Sequence, residues 1–310
     1  MKKFSLLMLG GGRRVSLLER FERASEKLDL KFKAFAYEIN DQQPIAQFAE
    51  VIVGKKWSAE GIVEDIKAIS QINEVDLIIS NVDQATLVQS RIRESLNAAS
   101  FCSNFESSKI CLSKNSFQTF CEEKDLGIIP LASEGHYPVF AKPTYGSASE
   151  GAVMIASKLE KDSLPSTFEY IIQKYVKGSE YSVDAYVSRN GKICGISPRK
   201  RLRTLGGESV ETETVHDAEI YERTLQVIHH LNLIGPLTIQ FIREDATQKL
   251  YLLEVNPRFG GGVIASIEAG FNFPLMMLQE CLGQEPIATF EGKRLRMIRY
   301  FKEVFYENSN

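Results

Sequence analysis

Apolar positions over about the first hundred residues alternate between two periods. Phe4–Leu9 is an apolar run that stops at Gly10-Gly11-Gly12, and Leu17, Phe21, Ala24 and Leu28 then recur at helical spacing. Lys33–Tyr37 and Val51–Val53 read as short strands, Ile62, Ile66 and Ile69 mark an amphipathic helix, and Val75–Ser80 is an uninterrupted strand. Strand–helix–strand order with continuous apolar strands predicts a parallel sheet covered on both faces. Ligands of such sheets lie beyond the carboxyl ends of the strands.

The texture changes near Ser107. A helix is expected over Ser113–Leu126, ended by Gly127 and Pro130, followed by strands at Tyr137–Lys142 and Ala152–Ala156 around the Gly/Ser-rich loop Pro143–Gly151. Longer strands follow at Ile171–Val176, Tyr181–Ser188 and Lys192–Ser197, the last two joined by the turn Arg189-Asn190-Gly191. A helix over Ala218–Leu231 precedes strands Leu237–Arg243 and Leu250–Val255.

Composition excludes several classes. At 44% hydrophobic and 25% charged, with a formal net charge of -3, the chain of 310 residues has ordinary globular character and no surplus of cations for a nucleic-acid partner. The opening MKKFSLLMLGGG has too short an apolar run for a secretory leader, and no stretch approaches the length of a bilayer span, so a cytoplasmic protein with no membrane partner is expected. The five cysteines form no C-x-x-C pair and the four histidines no H-E-x-x-H, which argues against a disulfide framework or a zinc site. His229 and His230 fall in the helix and read as structural.

Three segments carry chemistry. If Leu237–Phe241 and Tyr251–Asn256 form a hairpin, Gln240 lies opposite Glu254, and Glu254 and Asn256, two apart, share a face. One carboxylate and two amides suit Mg²⁺, which takes few carboxylates and completes its shell with phosphates and water. Arg258 follows at once, placed to stabilise a transferring phosphoryl group. The second segment ends a strand at Lys142 and continues into Thr144–Gly151, whose N–H groups and hydroxyls (Ser147, Ser149) can hold polyphosphate, or which is simply a hairpin tip; it is not a P-loop, because the lysine precedes the glycines. The third, Ile171–Tyr181, is either an ordinary connection or a hinge whose backbone pairs with a flat base while Glu180 accepts from ribose.

In this order, the segments resemble the ATP-grasp superfamily, most closely its carbamoyl-phosphate-synthase-large-subunit-like branch, over nearly the whole chain. The resemblance implies a fold of α/β and α+β class: an N-terminal parallel-sheet, Rossmann-like pre-ATP-grasp domain (1–107), a small lid subdomain (108–170) and a C-terminal subdomain (171–310). It implies ATP with Mg²⁺, for which Mn²⁺ can stand in. Gln240, Glu254 and Asn256 would carry the metal, Arg258 would contact the γ-phosphoryl group, and Lys142 and Lys114 would hold the phosphates. Gln173, Lys174 and Val176 would form the adenine hinge, Glu180 would bind ribose, and Gly146–Gly151 would cover the phosphates. Gln173 stands where many members have Glu, and Gln240 where many have a carboxylate. With a single ATP-grasp unit, synthesis of carbamoyl phosphate is not expected. The activity implied is a ligase joining a small-molecule carboxylate to an amine or thiol through an acyl phosphate.

The rivals are a non-catalytic ATP-binding or sensor module and a nicotinamide enzyme, the latter opposed by Val15 where G-x-G-x-x-G needs glycine. Asn81 and Asp83 are candidate substrate contacts, although Asp83 serves equally as a helix cap. Arg199, Arg201 and Arg203 are either a solvated run or a carboxylate clamp. Gly260-Gly261-Gly262 either opens an anion-binding helix N-terminus or makes a tight turn. Arg294–Phe305 can dock on its own domain or, in a homodimer, on a second copy.

Overall fold

The computed structural model describes residues 1–146 and 150–307. In chain order the elements are β1 (Lys2–Leu9), α1 (Val15–Lys27), β2 (Leu30–Glu38), β3 (Glu50–Val53), α2 (Ile62–Ile72), β4 (Leu77–Ser80), α3 (Asp83–Ile92), α4 (Phe105–Leu112) and α5 (Lys114–Glu123). Then come β5 (Val139–Pro143), β6 (Val153–Ile155), α6 (Lys158–Asp162), β7 (Tyr170–Lys174), β8 (Gly178–Val187), β9 (Ile193–Leu205) and β10 (Glu208–Thr214). The chain closes with α7 (Ala218–His230), β11 (Gly235–Glu244), β12 (Leu250–Asn256), α8 (Val263–Glu268), α9 (Phe273–Cys281) and β13 (Arg296–Ile298).

The first sheet is parallel, in the order β3-β2-β1-β4. Its alternation is visible in β1: Phe4, Leu6 and Met8 join one core with α1, α8 and α9, and Leu7 and Leu9 join another with α2 and α3. Burial on both faces explains the unbroken apolar runs. A three-stranded antiparallel sheet, β6-β5-β7, and a six-stranded sheet, β12-β11-β8-β9-β10-β13, make up the rest.

Four expectations change. Helix α4 lies where none was expected; Asn104 caps it by accepting from the Ser107 N–H at 2.8 Å, and Ser113 then starts α5 directly. The boundaries expected at 107 and 170 fall inside α4 and β7, and β7 pairs with β5 through Lys174. The cation run is strand and not loop, buried at Arg199 and exposed at Arg203: β9 continues through it to Leu205 and returns as β10 over Gly206-Gly207, both at positive φ. Of Arg294–Phe305, Arg296–Ile298 pairs with β10 as β13, while Tyr300, Phe301 and Phe305 stay exposed, and beyond it the Tyr306 hydroxyl donates to the Gln43 carbonyl at 2.6 Å.

The six-stranded sheet has one apolar and one polar face. Val183, Ala185, Ile196, Ile239 and Phe241 enter the core beneath α7. Glu180, Ser182, Asp184, Arg199, Arg201, Thr238 and Gln240 alternate with them and face the other way. At the centre of this polar face Arg199, 1% exposed, grips Asp184 with Nε and Nη2 at 2.6 and 3.1 Å, and Asp184 also accepts from Ser266 and Thr238. Removing either partner strands a buried charge. Arg199→Met or Asp184→Asn is therefore expected to lower the unfolding free energy by about 3–5 kcal/mol in denaturant titrations. The paired Asp184→Leu/Arg199→Met protein should recover most of it; a single variant within about 1 kcal/mol of the parent would contradict this role.

Candidate active site

A cleft of about 670 Å³ opens between the three-stranded sheet, the polar face of the six-stranded sheet and the strand ends of the parallel sheet. The β11–β12 hairpin is in the expected register, with Gln240 opposite Glu254 and Thr238 opposite Asn256, and a bulge next to Gln240. Gln240 Nε2 and Asn256 Nδ2 both donate to Glu254 Oε1, at 2.5 and 3.0 Å. Arg258 Nη2 donates to Asn256 Oδ1 at 3.1 Å, and its Nε to Asp83 Oδ1 at 2.6 Å. Asp83 thus spans to the end of β12; the cap of α3 is Val82, without a side-chain bond, so Asp83 is not the cap.

Lys142, near the end of β5, lines the same cleft. Burial pulls its ammonium down to about 8, against the pull of Glu254 upward, while Lys114 adds repulsion. Lys114 begins α5 and its Nζ donates to the Gly146 carbonyl at 3.0 Å, at the edge of the loop expected to cover phosphates. Ser147 and Ser149 lie outside the described residues.

At the hinge, Gln173 is buried and its Nε2 donates to Gln118 Oε1 at 2.7 Å and the Ile129 carbonyl at 3.2 Å. Gln118 is a wall residue that sequence reasoning missed; its signal is a polar residue on the apolar stripe of α5. Lys174 donates its N–H to the Pro130 carbonyl at 2.9 Å and pairs Nζ with Glu244 at 2.8 Å, while Val176 packs with Ile129 and Tyr251. Glu180 is partnered by Arg201 Nη1 at 2.7 Å, which also reaches Gln240 Oε1 at 2.8 Å.

The three arginines expected to grip a substrate part company. Arg199 and Arg201 both line the cleft, and Arg201 shares its charge among Glu180, Gln240 and Ser209. Arg199 is buried and paired with Asp184, so its charge is already matched within the sheet. Arg203 lies 64% exposed beside Glu211, outside the cleft lining, because β9 has by then run past the cleft.

The glycine triplet at 260–262 is neither a tight turn alone nor an anion site, since α8 has only six residues. A Cβ on Gly261 would stand 2.8 Å from Arg14 and Glu208, and one on Gly262 2.5 Å from Arg199. Close approach of these side chains is what excludes larger residues. Arg14, also missed from sequence, pairs with Glu208 at 3.0 Å, and Glu208 with Arg299 at 2.6 Å. Burial draws Arg14 below the usual guanidinium range; for Glu208 burial acts upward, but Arg14 and Arg299 hold it below the usual carboxylate range. Burial pushes the Glu38 carboxylate up to about 7, against the pull of the nearby Gly12 and Gly11 N–H groups.

Comparison with known proteins follows this geometry. Residues 166–303 match the family described as ATP-grasp in the biosynthetic pathway with Ter operon. The chain matches this ATP-grasp family over that segment, under half of its length. It is 28% identical over 182 residues to carbamoyl phosphate synthase large chain of Pyrococcus furiosus, covering 53% of this chain and 17% of that one. To D-alanine–D-alanine ligase of Rickettsia massiliae it is 30% identical over 159 residues, covering 44% and 49%. The chain thus spans about half the length of the latter and a smaller share of the former. The ADP complex of N5-carboxyaminoimidazole synthetase from Staphylococcus aureus superposes with a TM-score of 0.74 at 17% identity, over 92% of this chain and 79% of that one, which shows a shared fold. Among the described residues no helix is long and apolar enough to cross a membrane, and the five cysteines are free.

The low-lying Lys142 gives the cleft a pH signature. In the free protein it loses its proton near pH 8; a bound polyphosphate restores it. Binding of inorganic tripolyphosphate is expected to take up close to one proton between about pH 8 and 10 and to weaken as pH rises through that window. Calorimetry in buffers of different ionisation enthalpy reads the uptake. The same uptake in Lys142→Met would show that another group is responsible.

Proposed function

We propose that the protein is an ATP-dependent ligase that activates a small-molecule carboxylate as an acyl phosphate and transfers the acyl group to an amine or a thiol. The observation that carries this reading is the cluster Gln240, Glu254, Asn256 and Arg258 on one sheet face, with Lys142 on the wall of the same cleft. A protein that merely bound nucleotide would have no need of an arginine held at 2.6 Å by Asp83 where the strand ends meet.

The residues fit a divalent cation delivered with the nucleotide. Among the described residues no group of three or more His, Cys, Asp or Glu side chains could hold a metal unaided. Glu254 with the oxygens of Gln240 and Asn256 offers hard donors with one charge, as Mg²⁺ or Mn²⁺ on a phosphate requires. Both amide nitrogens now donate to Glu254, so loading would swing their oxygens inward. When bound, the cation neutralises charge between the β- and γ-phosphates.

The chain's own groups do the rest. Lys142 and Lys114 hold the phosphates, the β7–β8 connection with Gln173, Lys174 and Val176 receives the base, and Glu180 exchanges Arg201 for ribose hydroxyls. An oxygen of the carboxylate attacks the γ-phosphorus, the bond to the β–γ bridging oxygen breaks, and ADP leaves. Arg258 stabilises the phosphoryl charge. An amine or thiol then attacks the acyl carbon, loses its proton and releases phosphate.

Mg²⁺-dependent ADP release with pooled carboxylic acids and amines tests this. One pool should stimulate the native protein, and Arg258→Ala should cut that rate by about 10²–10³ while ATP still binds. Stimulation that survives in Arg258→Ala would remove Arg258 from the chemistry; tight ATP binding with no stimulation by any pool would favour the sensor reading.

A further inference from the structure

Within this reading of the cleft, the structure shows where an acceptor would sit. The parallel sheet changes direction between β1 and β4: from β1 the chain proceeds to β2 and β3 on one side, and β4 lies on the other. A crevice at such a switch point, at the carboxyl ends of the strands, is where open sheets bind ligands. Here it is flanked by helices α1 and α3, of 13 and 10 residues, whose caps Arg14 and Val82 make no side-chain capping bond. Two helix N-termini therefore point uncapped donors and positive dipole ends at one place.

Between them lies Asn81. It is 1% exposed, it lines the cleft, and neither Oδ1 nor Nδ2 has a partner among the described residues. A buried carboxamide left without partners is costly, and natural proteins retain one where a ligand completes it. Its Nδ2 lies 3.7 Å from the Cβ position of Gly11, at the turn that leads to Arg14. Beside it on the cleft wall stand two cations, Arg14 and Arg258, paired with Glu208 and Asp83.

We propose that this crevice binds the reacting carboxylate of the acceptor, held by Arg14, Asn81 Nδ2 and the N-termini of α1 and α3, and that Asn81 Oδ1 selects acids carrying a hydrogen-bond donor on the carbon next to the carboxylate. An acceptor and a donor on adjacent atoms are what a carboxamide needs to satisfy both its ends. The donor is an amine or a hydroxyl. The site adjoins Arg258, which reaches Asp83 at the start of α3, so an acid bound there lies beside the group that stabilises the phosphoryl charge.

The test is direct binding, which needs no turnover. Full-length protein loaded with Mg²⁺ and a non-hydrolysable ATP analogue is titrated, by thermal shift and calorimetry, with three pools: common 2-amino acids, the matching 2-hydroxy acids, and the same acids unsubstituted at that carbon. Inorganic phosphate is the fourth probe. One of the first two pools should bind at least tenfold tighter than the unsubstituted acids, and which one identifies the donor. Asn81→Ala should abolish that preference without lowering the melting temperature of the unliganded protein, because it removes an unsatisfied group. Arg14→Met should weaken the acid at least tenfold and leave affinity for the ATP analogue within threefold. Equal binding of unsubstituted acids, preference for inorganic phosphate, no binding of any pool, or an Asn81→Ala protein that is destabilised yet binds as before would each overturn the proposal. Selective binding that depends on Asn81 but never leads to ADP release would leave the subsite standing and remove the ligase reading instead.

Discussion

A sheet face lined with charged side chains is tolerable only if every charge has a partner, because isolated charges in a dry cleft cost several kcal/mol each. The polar face formed by β8, β9, β11 and β12 meets that constraint pair by pair. Asp184 neutralises Arg199, Glu180 neutralises Arg201, Glu254 gathers the amides of Gln240 and Asn256, and Asp83 holds Arg258. The buried pair fixes the sheet, and the half-exposed pairs are the ones a ligand can exchange. Arg199 and Arg201 are two residues apart on one strand and differ in depth: Arg199 is 1% exposed, Arg201 less fully buried.

The same constraint couples the sheets. Arg258 at the end of β12 reaches Asp83 at the start of α3, and Arg14 at the start of α1 reaches Glu208 on β10. Both contacts cross from the parallel sheet to the six-stranded sheet, and both end at the switch point between β1 and β4. Gly261 and Gly262 permit the crossing by giving up their side chains at the point of closest approach. The nucleotide end of the cleft and the proposed acceptor end therefore share one set of charges, and filling either end releases arginine donors to the other.

Much of this was legible in the sequence, and the exceptions have physical causes. Gln240, Glu254, Asn256 and Arg258 could be placed because a hairpin with period two converts spacing directly into geometry. The parallel sheet was legible because strands buried on both faces leave unbroken apolar runs. The pairing of Arg199 with Asp184 was not legible, because it is set by the register of β8 against β9, which the sequence does not display. The extension of β9 was hidden for a related reason: its inward positions are arginines satisfied across the sheet, so the strand reads as a polar loop. Arg14 and Asn81 went unweighted or half-weighted because their meaning lies in what they lack, a cap in one case and any partner in the other.

The central claim is that carboxylate and γ-phosphoryl group meet at Arg258 before any amine takes part. Positional isotope exchange in ATP carrying oxygen-18 at the β–γ bridge measures that step directly. The account predicts that the label scrambles into the non-bridging β positions when the true carboxylate is present and no amine or thiol is supplied. Product formation without carboxylate-dependent scrambling, under conditions where ADP remains bound and free to rotate, would contradict it.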